Sequence, residues 1–300
     1  MLRPVCSEEE SNMVKKKRID TSTIIISTII VLFCLLILYP FIYIISVSFS
    51  NKLAVMQGEV WFLPIGFNLD AYKYVLQYDS FLSSYWNSIK MTVTDTLLAV
   101  TVNCIVAYPL SRMHLKGRRY FNLYFMFTMI FNAGLMANYM NIVKLGLYDT
   151  IWAILLPSTC GAYNLILMRT FFEQIPDGLE EAAIVDGAGD WTIFTKVVIP
   201  LSGPIISTEV LFFAVNRWNS WYNEFLYLND KAKYPLQLVV RSIVLTGEND
   251  IGKAVANADQ MLGTSLKYAV IILSIIPMMI LYPIIQKYLV KGIMLGAIKG

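Results

Sequence analysis

Charged residues are scarce in this 300-residue chain. Asp, Glu, Lys and Arg make up 15% of it, against about 25% in ordinary soluble domains. Hydrophobic residues reach 57% and the mean hydropathy is +0.58, so the surplus apolar surface needs lipid to face. A net charge of +3 leaves no field of one sign to attract nucleic acid. Histidine occurs once, as His114, in a basic stretch without a ligand or triad partner beside it. The four cysteines, Cys6, Cys34, Cys104 and Cys160, form no C-x-x-C pair, and three lie inside apolar runs. They read as small buried apolar residues, not as disulfides or metal ligands. With no cluster of Ser, His and Asp and no metal-ligand set, a membrane-embedded enzyme has nothing to support it. A cleavable signal peptide is not evident either, because the first apolar run, from about Ile24, is too long for one. Residues 1–12 carry Glu8, Glu9 and Glu10 and differ in character from the basic and apolar residues after them. Met13, ahead of Val14-Lys15-Lys16-Lys17-Arg18, reads as the natural initiator.

What is present is a series of long apolar runs. Crossing a bilayer takes roughly 20 mostly apolar residues in a helix. Six stretches qualify, at about 24–45, 87–110, 120–137, 150–172, 201–218 and 266–286. The second is the weakest, since it holds Thr92, Thr94, Asp95, Thr96, Thr101 and Asn103. None alternates as barrel strands do, so the expected class is an all-α integral membrane protein. Residues 1–20 form a cytoplasmic segment and 21–300 the membrane domain. The cations set the orientation. Lys15–Arg18 precede the first span, Arg112, Lys116, Arg118 and Arg119 follow the second, and Lys287 and Lys291 follow the last, whereas the loop after the third has only Lys144. Both termini are expected in the cytoplasm. Trp61, Trp86, Trp152, Trp218 and Trp221 fall near the outer interfaces, as an aromatic belt would. Pro40, Pro109, Pro157, Pro277 and Pro283 kink spans, which membrane helices tolerate in general.

The most informative stretch is 174–200, between the fourth and fifth spans. Asp177 is placed to cap a helix, with Glu180 completing a capping-box-like pattern. Ala182, Ala183, Ile184 and Val185 continue it, Gly187 supplies a left-handed stop, and Asp190 caps a second short helix ending before Pro200. A helix, a turn and a helix with a small, partly apolar face call for a partner protein.

Here the chain resembles the permease subunits of binding-protein-dependent ABC importers, whose pattern is E-A-A, three residues, G, nine residues, then I-x-L-P. The residues at those spacings are Glu181-Ala182-Ala183, Gly187, and Val197, Ile199 and Pro200, with Val for Ile and Ile for Leu. The likeness extends over about 21–300. Ala107-Tyr108-Pro109-Leu110-Ser111-Arg112 and Met168-Arg169-Thr170-Phe171-Phe172 are similar to the maltose-G-like carbohydrate permeases. Trp218-Asn219-Ser220-Trp221-Tyr222 and the tail from Tyr282-Pro283 to Lys291-Gly292 are similar to their complex-oligosaccharide subgroup.

The resemblance implies six membrane helices and a cytoplasmic coupling helix that docks on an ATPase subunit, with Glu180, Glu181, Ala182, Ala183, Asp186, Gly187, Ile199 and Pro200 as coupling residues. It also implies the partners: two ATPase subunits, a second homologous permease, an extracytoplasmic solute-binding protein and a sugar or oligosaccharide. No cofactor is expected on this chain, ATP and magnesium belonging to the ATPase. The alternative is a secondary transporter or channel, which would more often show intramembrane charge pairs or inverted repeats.

Acids and amides inside spans default to functional hypotheses. Glu209, Asn103 and Asn164 are candidates for the translocation path, while Asp95 lies near enough to the outer end of its span to read as interfacial. Arg169 reads as snorkelling at the inner end of span four. The segment 219–265 is read as external and too polar for lipid, and Trp221, Tyr222, Leu245 and Glu248 as its contacts with the binding protein. Gly247 to Ala254 nearly matches a Walker A loop but has Ala254 where Ser or Thr is needed, so nucleotide binding is not expected there. The tail Gly292-x-x-x-Gly296-x-x-x-Gly300 has the spacing that lets helices approach closely.

Overall fold

A computed structural model of the chain describes residues 21–246 and 260–297, and among these there is no strand. Met13, the cations at 15–18, Glu248 and the Walker-like stretch lie outside the described residues.

The helix α1 (Thr21–Ser48) is apolar all round and its membrane-length window, of mean hydropathy 2.8, buries nothing against the rest of the chain. Such a helix is stable only in lipid. Its last turns fold back on the body, where Tyr43 meets Tyr268 edge to face at 6.0 Å. Two short helices, α2 (Lys52–Met56) and α3 (Asp70–Leu76), lead into α4 (Asp79–Ser111). This 33-residue helix is the axis of the molecule. Ser84, Ser88, Ala99, Cys104 and Ala107 on its buried faces let neighbours pack close.

After α4 come α5 (Arg118–Ile130) and α6 (Leu135–Lys144), then α7 (Trp152–Ser158) and α8 (Ala162–Phe172). The loop helices α9 (Asp177–Val185) and α10 (Asp190–Ile193) run through a π-helical turn at Phe194–Val198 into α11 (Ile199–Leu201) and α12 (Gly203–Asn219). Then follow α13 (Tyr222–Tyr227), a 3-10 turn at Lys231–Lys233, α14 (Leu236–Arg241), a second π-helical turn at Ser242–Thr246, and α15 (Gln260–Ala297). Gly292 and Gly296 lie within α15, past its membrane-length stretch Thr264–Ile284.

Among the described residues, three helices are long and apolar enough to cross a membrane unbroken, within Ser22–Ser48, Asp79–Ser111 and Thr264–Ile284. The expected third span is instead a pair, α5 and α6, bent by 114°. Asn132 Oδ1 accepts the Gly134 N–H at 2.9 Å and Gly134 takes φ +83°, which turns the chain out of the helix. The expected fourth span is broken as well. Pro157 removes a donor, and the Ser158 and Thr159 hydroxyls donate to the carbonyl of Leu155 at 2.8 Å each, in competition with the backbone. The expected fifth begins with a 78° bend between the α10–α11 run and α12.

Two cores stack along α4. One gathers Phe81, Trp218, Leu236, Val239, Ile243, Leu266 and Val270. The other, toward the opposite end of α4, gathers Ala107, Leu110, Leu165, Met168, Phe172, Phe194 and Val198. The described residues 219–246 therefore depart from the expectation of a wholly polar segment. Leu236, Leu238, Val239 and Ile243 are buried and α14 belongs to the first core, because a short apolar run is enough to dock against α4 and α15. Trp218 also leaves the aromatic belt, its indole N–H donating to the Ser274 carbonyl at 3.0 Å inside that core. Of the cysteines described, Cys104 is buried, while Cys34 and Cys160 are exposed on this chain.

Candidate functional site: a tethered loop and a buried ionic knot

The loop after α8 is rigidly built. The N-cap of α9 is Pro176 and that of α10 is Gly189, neither with a side-chain capping bond. Asp177 and Asp190 are thus the first helical residues, not the caps, and the expected capping box does not form. The acids still face the positive end of the helix dipole. At the other end of α9, Gly187 has φ +82°, its N–H donates to Ile184 O, and the Ala188 N–H donates to Ala183 O, both at 2.9 Å. This pair of bonds is the Schellman stop that a left-handed residue permits.

One side of the loop is fastened to the membrane body. Glu180 pairs with Arg112 at the end of α4, both side chains nearly buried. The Arg112 guanidinium lies 5.0 Å from the centre of the Tyr108 ring, which in turn packs 5.1 Å from Phe194. Burial pushes the Glu180 carboxyl above the usual range, and Arg112 opposes that shift. Ala183 and Ala188 rest against the second core. The other side is bare. Leu179, Ile184, Trp191 and above all Val185, 87% exposed, are apolar side chains left uncovered. Glu181, Ala182, Asp186, Gly187 and Pro200 are exposed, and Ile199 half-buried.

A second cluster was only partly legible in the sequence. Asp95, read as interfacial, is buried at the centre of an ionic knot. Arg217 Nε donates to Asp95 Oδ2 at 2.9 Å and Nη1 to Glu224 Oε1 at 2.8 Å. Its Nη2 donates to Ser158 Oγ at 2.8 Å, and that hydroxyl donates to Asp95 Oδ1 at 2.7 Å. Ser220 donates to Glu224 Oε2 at 2.8 Å. Two carboxylates around one guanidinium join α4, α7, α12 and α13. Arg217 and Glu224 were missed, although an acid inside a span calls for a cation, and Arg217 is seven residues from a second acid.

The knot closes one end of a cleft of about 770 Å³ bordered by Asn164, Phe212, Asn216 and Tyr282. Of the three path candidates, Asn164 borders this cleft. Asn103 and Glu209 are wholly buried in the helix packing. Asn103 donates to the carbonyls of Ala99 at 2.7 Å and Thr159 at 2.9 Å, stitching α4 to the α7–α8 break. Neither Glu209 oxygen has a protein hydrogen-bond partner among the described residues. Arg169 lies 3.2 Å from Glu173, which also pairs with Arg118. Of the expected binding-protein contacts, Tyr222 and Leu245 are exposed, and Trp221 carries the Arg241 guanidinium 4.2 Å above its ring. Among the described residues no group of His, Cys, Asp and Glu is placed to hold a metal.

The sequence pattern of the family described as "Binding-protein-dependent transport system inner membrane component" matches residues 11–221. The chain is 38% identical, over 90% of its length and 96% of the relative's, to the Polygalacturonan/rhamnogalacturonan transport system permease protein YtcP of Bacillus subtilis (strain 168). It is 27% identical, over 90% of its length and 94% of the relative's, to the Trehalose/maltose transport system permease protein MalG of Thermococcus litoralis. Among solved structures, it is similar to a chain of a bacterial ABC transporter involved in the import of the acidic polysaccharide alginate. That match has a TM-score of 0.83 and 39% identity and covers 88% of this chain and 95% of the other. These matches set aside the secondary-transporter and channel alternative. The all-helical, multi-pass protein is a transport subunit and not an enzyme, and it belongs to the inner-membrane permease components of binding-protein-dependent ABC importers.

Proposed function

We propose that this chain forms half of the translocation pathway of an ATP-driven importer of acidic oligosaccharides, and that its 174–200 loop receives the power stroke. The observation that carries the coupling role is the two-sided build of that loop: fastened to α4 through Glu180 and Arg112, bare along Leu179, Ile184, Val185 and Trp191. A rigid helix with uncovered apolar side chains suits a cleft on a soluble partner. In this reading those side chains enter the ATPase, which binds the ATP and magnesium. Closure of the ATPase pair moves α9, and the ion pair passes the motion to α4. The membrane body then counts six crossings, the α7–α8 pair being one and the bent pairs two more. Both termini face the cytoplasm, and a second permease completes the cavity. The exposed part of 219–246, with Trp221 and Tyr222, meets the binding protein on the far face.

The acidic class is supported by two of the proteins near 38–39% identity, one named for polygalacturonan and rhamnogalacturonan transport and the other for alginate import. The test combines pull-down with uptake. The tagged chain from its own host is expected to bring down an ATPase subunit and a second permease, and a strain lacking the gene is expected to lose uptake of a labelled galacturonate trisaccharide. Purification of the chain alone, or uptake indifferent to the deletion, contradicts the proposal.

A further inference from the structure

Two apolar stretches leave the helix, α5–α6 at residues 131–134 and α7–α8 at 159–161, and Phe131, Asn132 and Ala133 of the first border one hollow with Pro157 and Ser158 beside the second. A 13-residue helix such as α5 rises about 20 Å from its arginine end, which keeps its break within an apolar layer about 30 Å thick. Non-helical backbone at that depth is tolerated only against protein or a water-filled cavity, and broken helices near the middle of a membrane characteristically frame a ligand.

Against the first break lies a hollow of about 440 Å³, in the size range of small-molecule sites. Its polar wall is made of amides: Asn132, Asn138 and Asn141 around the α5–α6 bend, and Asn223 from α13. Among the described residues, the side chains of Asn138, Asn141 and Asn223 make no hydrogen bond, and all three are exposed to the hollow side of this chain. Unpaired amides are costly in lipid, so they face water, a ligand or another protein. Among the described residues, no Asp, Glu, Lys or Arg borders the hollow. Tyr227 and Phe131 add aromatic surface, and Ser158 at the edge belongs to the ionic knot as well.

We propose that this hollow is an uncharged saccharide subsite on the translocation path, one that reads ring hydroxyls and not carboxylates. A primary amide offers two donors and an acceptor oxygen, which matches neighbouring hydroxyls that donate and accept at once. The absence of a cation is functional. A path must bind well enough to admit the ligand and weakly enough to release it, and a fixed arginine would hold a polyanion too long. The inference rests on the proposed import of oligosaccharides.

The test uses the assembled complex in cells of its host, with a labelled galacturonate trisaccharide as the probe. The double variant Asn141→Ala with Asn223→Ala is expected to lower uptake about tenfold, through several lost hydrogen bonds, while the amount of the second permease that co-purifies stays at the wild-type level. Asn141→Gln, which keeps the amide, is expected to retain most of the uptake. Uptake by the double variant within about twofold of wild type overturns the subsite. So does a parallel loss of the co-purifying permease, which would make the amides part of that interface. A wild-type complex that imports none of the trisaccharide overturns both this inference and the function on which it rests, and is recognised because the control itself is silent.

Discussion

Gly187 and Arg217 carry the sharpest consequences at the scale of single residues. No atom lies within 4 Å of where a Gly187 side chain would begin, so substitution there acts through the backbone alone. Holding a non-glycine residue at φ +82° costs about 1–2 kcal/mol, enough to loosen the end of α9 without unfolding a membrane body it does not touch. Gly187→Val is expected to leave the chain in the membrane at normal abundance while uptake falls at least several-fold. Quantitative blotting beside an uptake assay checks it, and normal uptake would remove the coupling role from this turn. The ionic knot predicts an asymmetry. Arg217→Ala strands two buried carboxylates and should cost about 3–5 kcal/mol, read as lost yield or a much lower Tm of the purified complex. Asp95→Asn leaves Arg217 paired one to one with Glu224 and keeps an acceptor for Ser158, so its effect should be far smaller. Equal effects would contradict the paired arrangement. Gly187 was legible because a glycine after a helical run has one common use. Arg217 was not, because its main partner is 122 positions away and only folding brings the two together.

At the scale of elements, the unbroken helices α1, α4 and α15 were legible, since length and apolarity settle a membrane helix. The breaks were not. Asn132 and the pair Ser158–Thr159 sit inside apolar runs, and their effect depends on a hydrogen bond that a hydropathy window does not register. The burial of α14 was hidden for the related reason that Leu236 to Ile243 is too short to stand out within a polar segment. The turn between α6 and α7 offers an element-level prediction. Asp149, at φ +58°, accepts from the Lys233 ammonium at 2.9 Å and from the Asn229 and Asp230 amides at 3.0 and 3.1 Å. The Lys233 bond first, then the two amides, hold its carboxyl down to about 2. A lowered carboxylate stabilises the folded state above its unfolded value of about 3.9 and loses that contribution as pH falls through about 2. The 227–233 segment should therefore keep its hydrogen-exchange protection at pH 5 and begin to lose it only below about pH 4. Asp149→Asn should loosen it already at pH 5. Equal protection of wild type and variant at pH 5 would show that the carboxylate does not hold the segment.

For the whole molecule, the fastened loop and the amide hollow are linked by the second half of α4. Arg112 just past the end of α4 holds the loop, and Asp95 at the midpoint of α4 holds the knot beside the hollow. A displacement of α9 thus has a rigid route to the place where a ligand would sit, which is what alternating access requires. The expected topology adds a simple check. In a background without native thiols, a cysteine at Lys116 should resist an impermeant thiol reagent in intact cells and one at Asp230 should react, while the reverse pattern would invert the molecule in the membrane.

The most direct test of the account places a photocrosslinker at Val185, the most exposed of the loop's uncovered apolar side chains, in the complex within its own membrane. The account predicts a single major adduct to a nucleotide-binding ATPase subunit, with a yield that changes between nucleotide-free and ATP-bound states. Crosslinking to lipid alone, or to no protein, would contradict the docking of this loop and with it the proposed coupling.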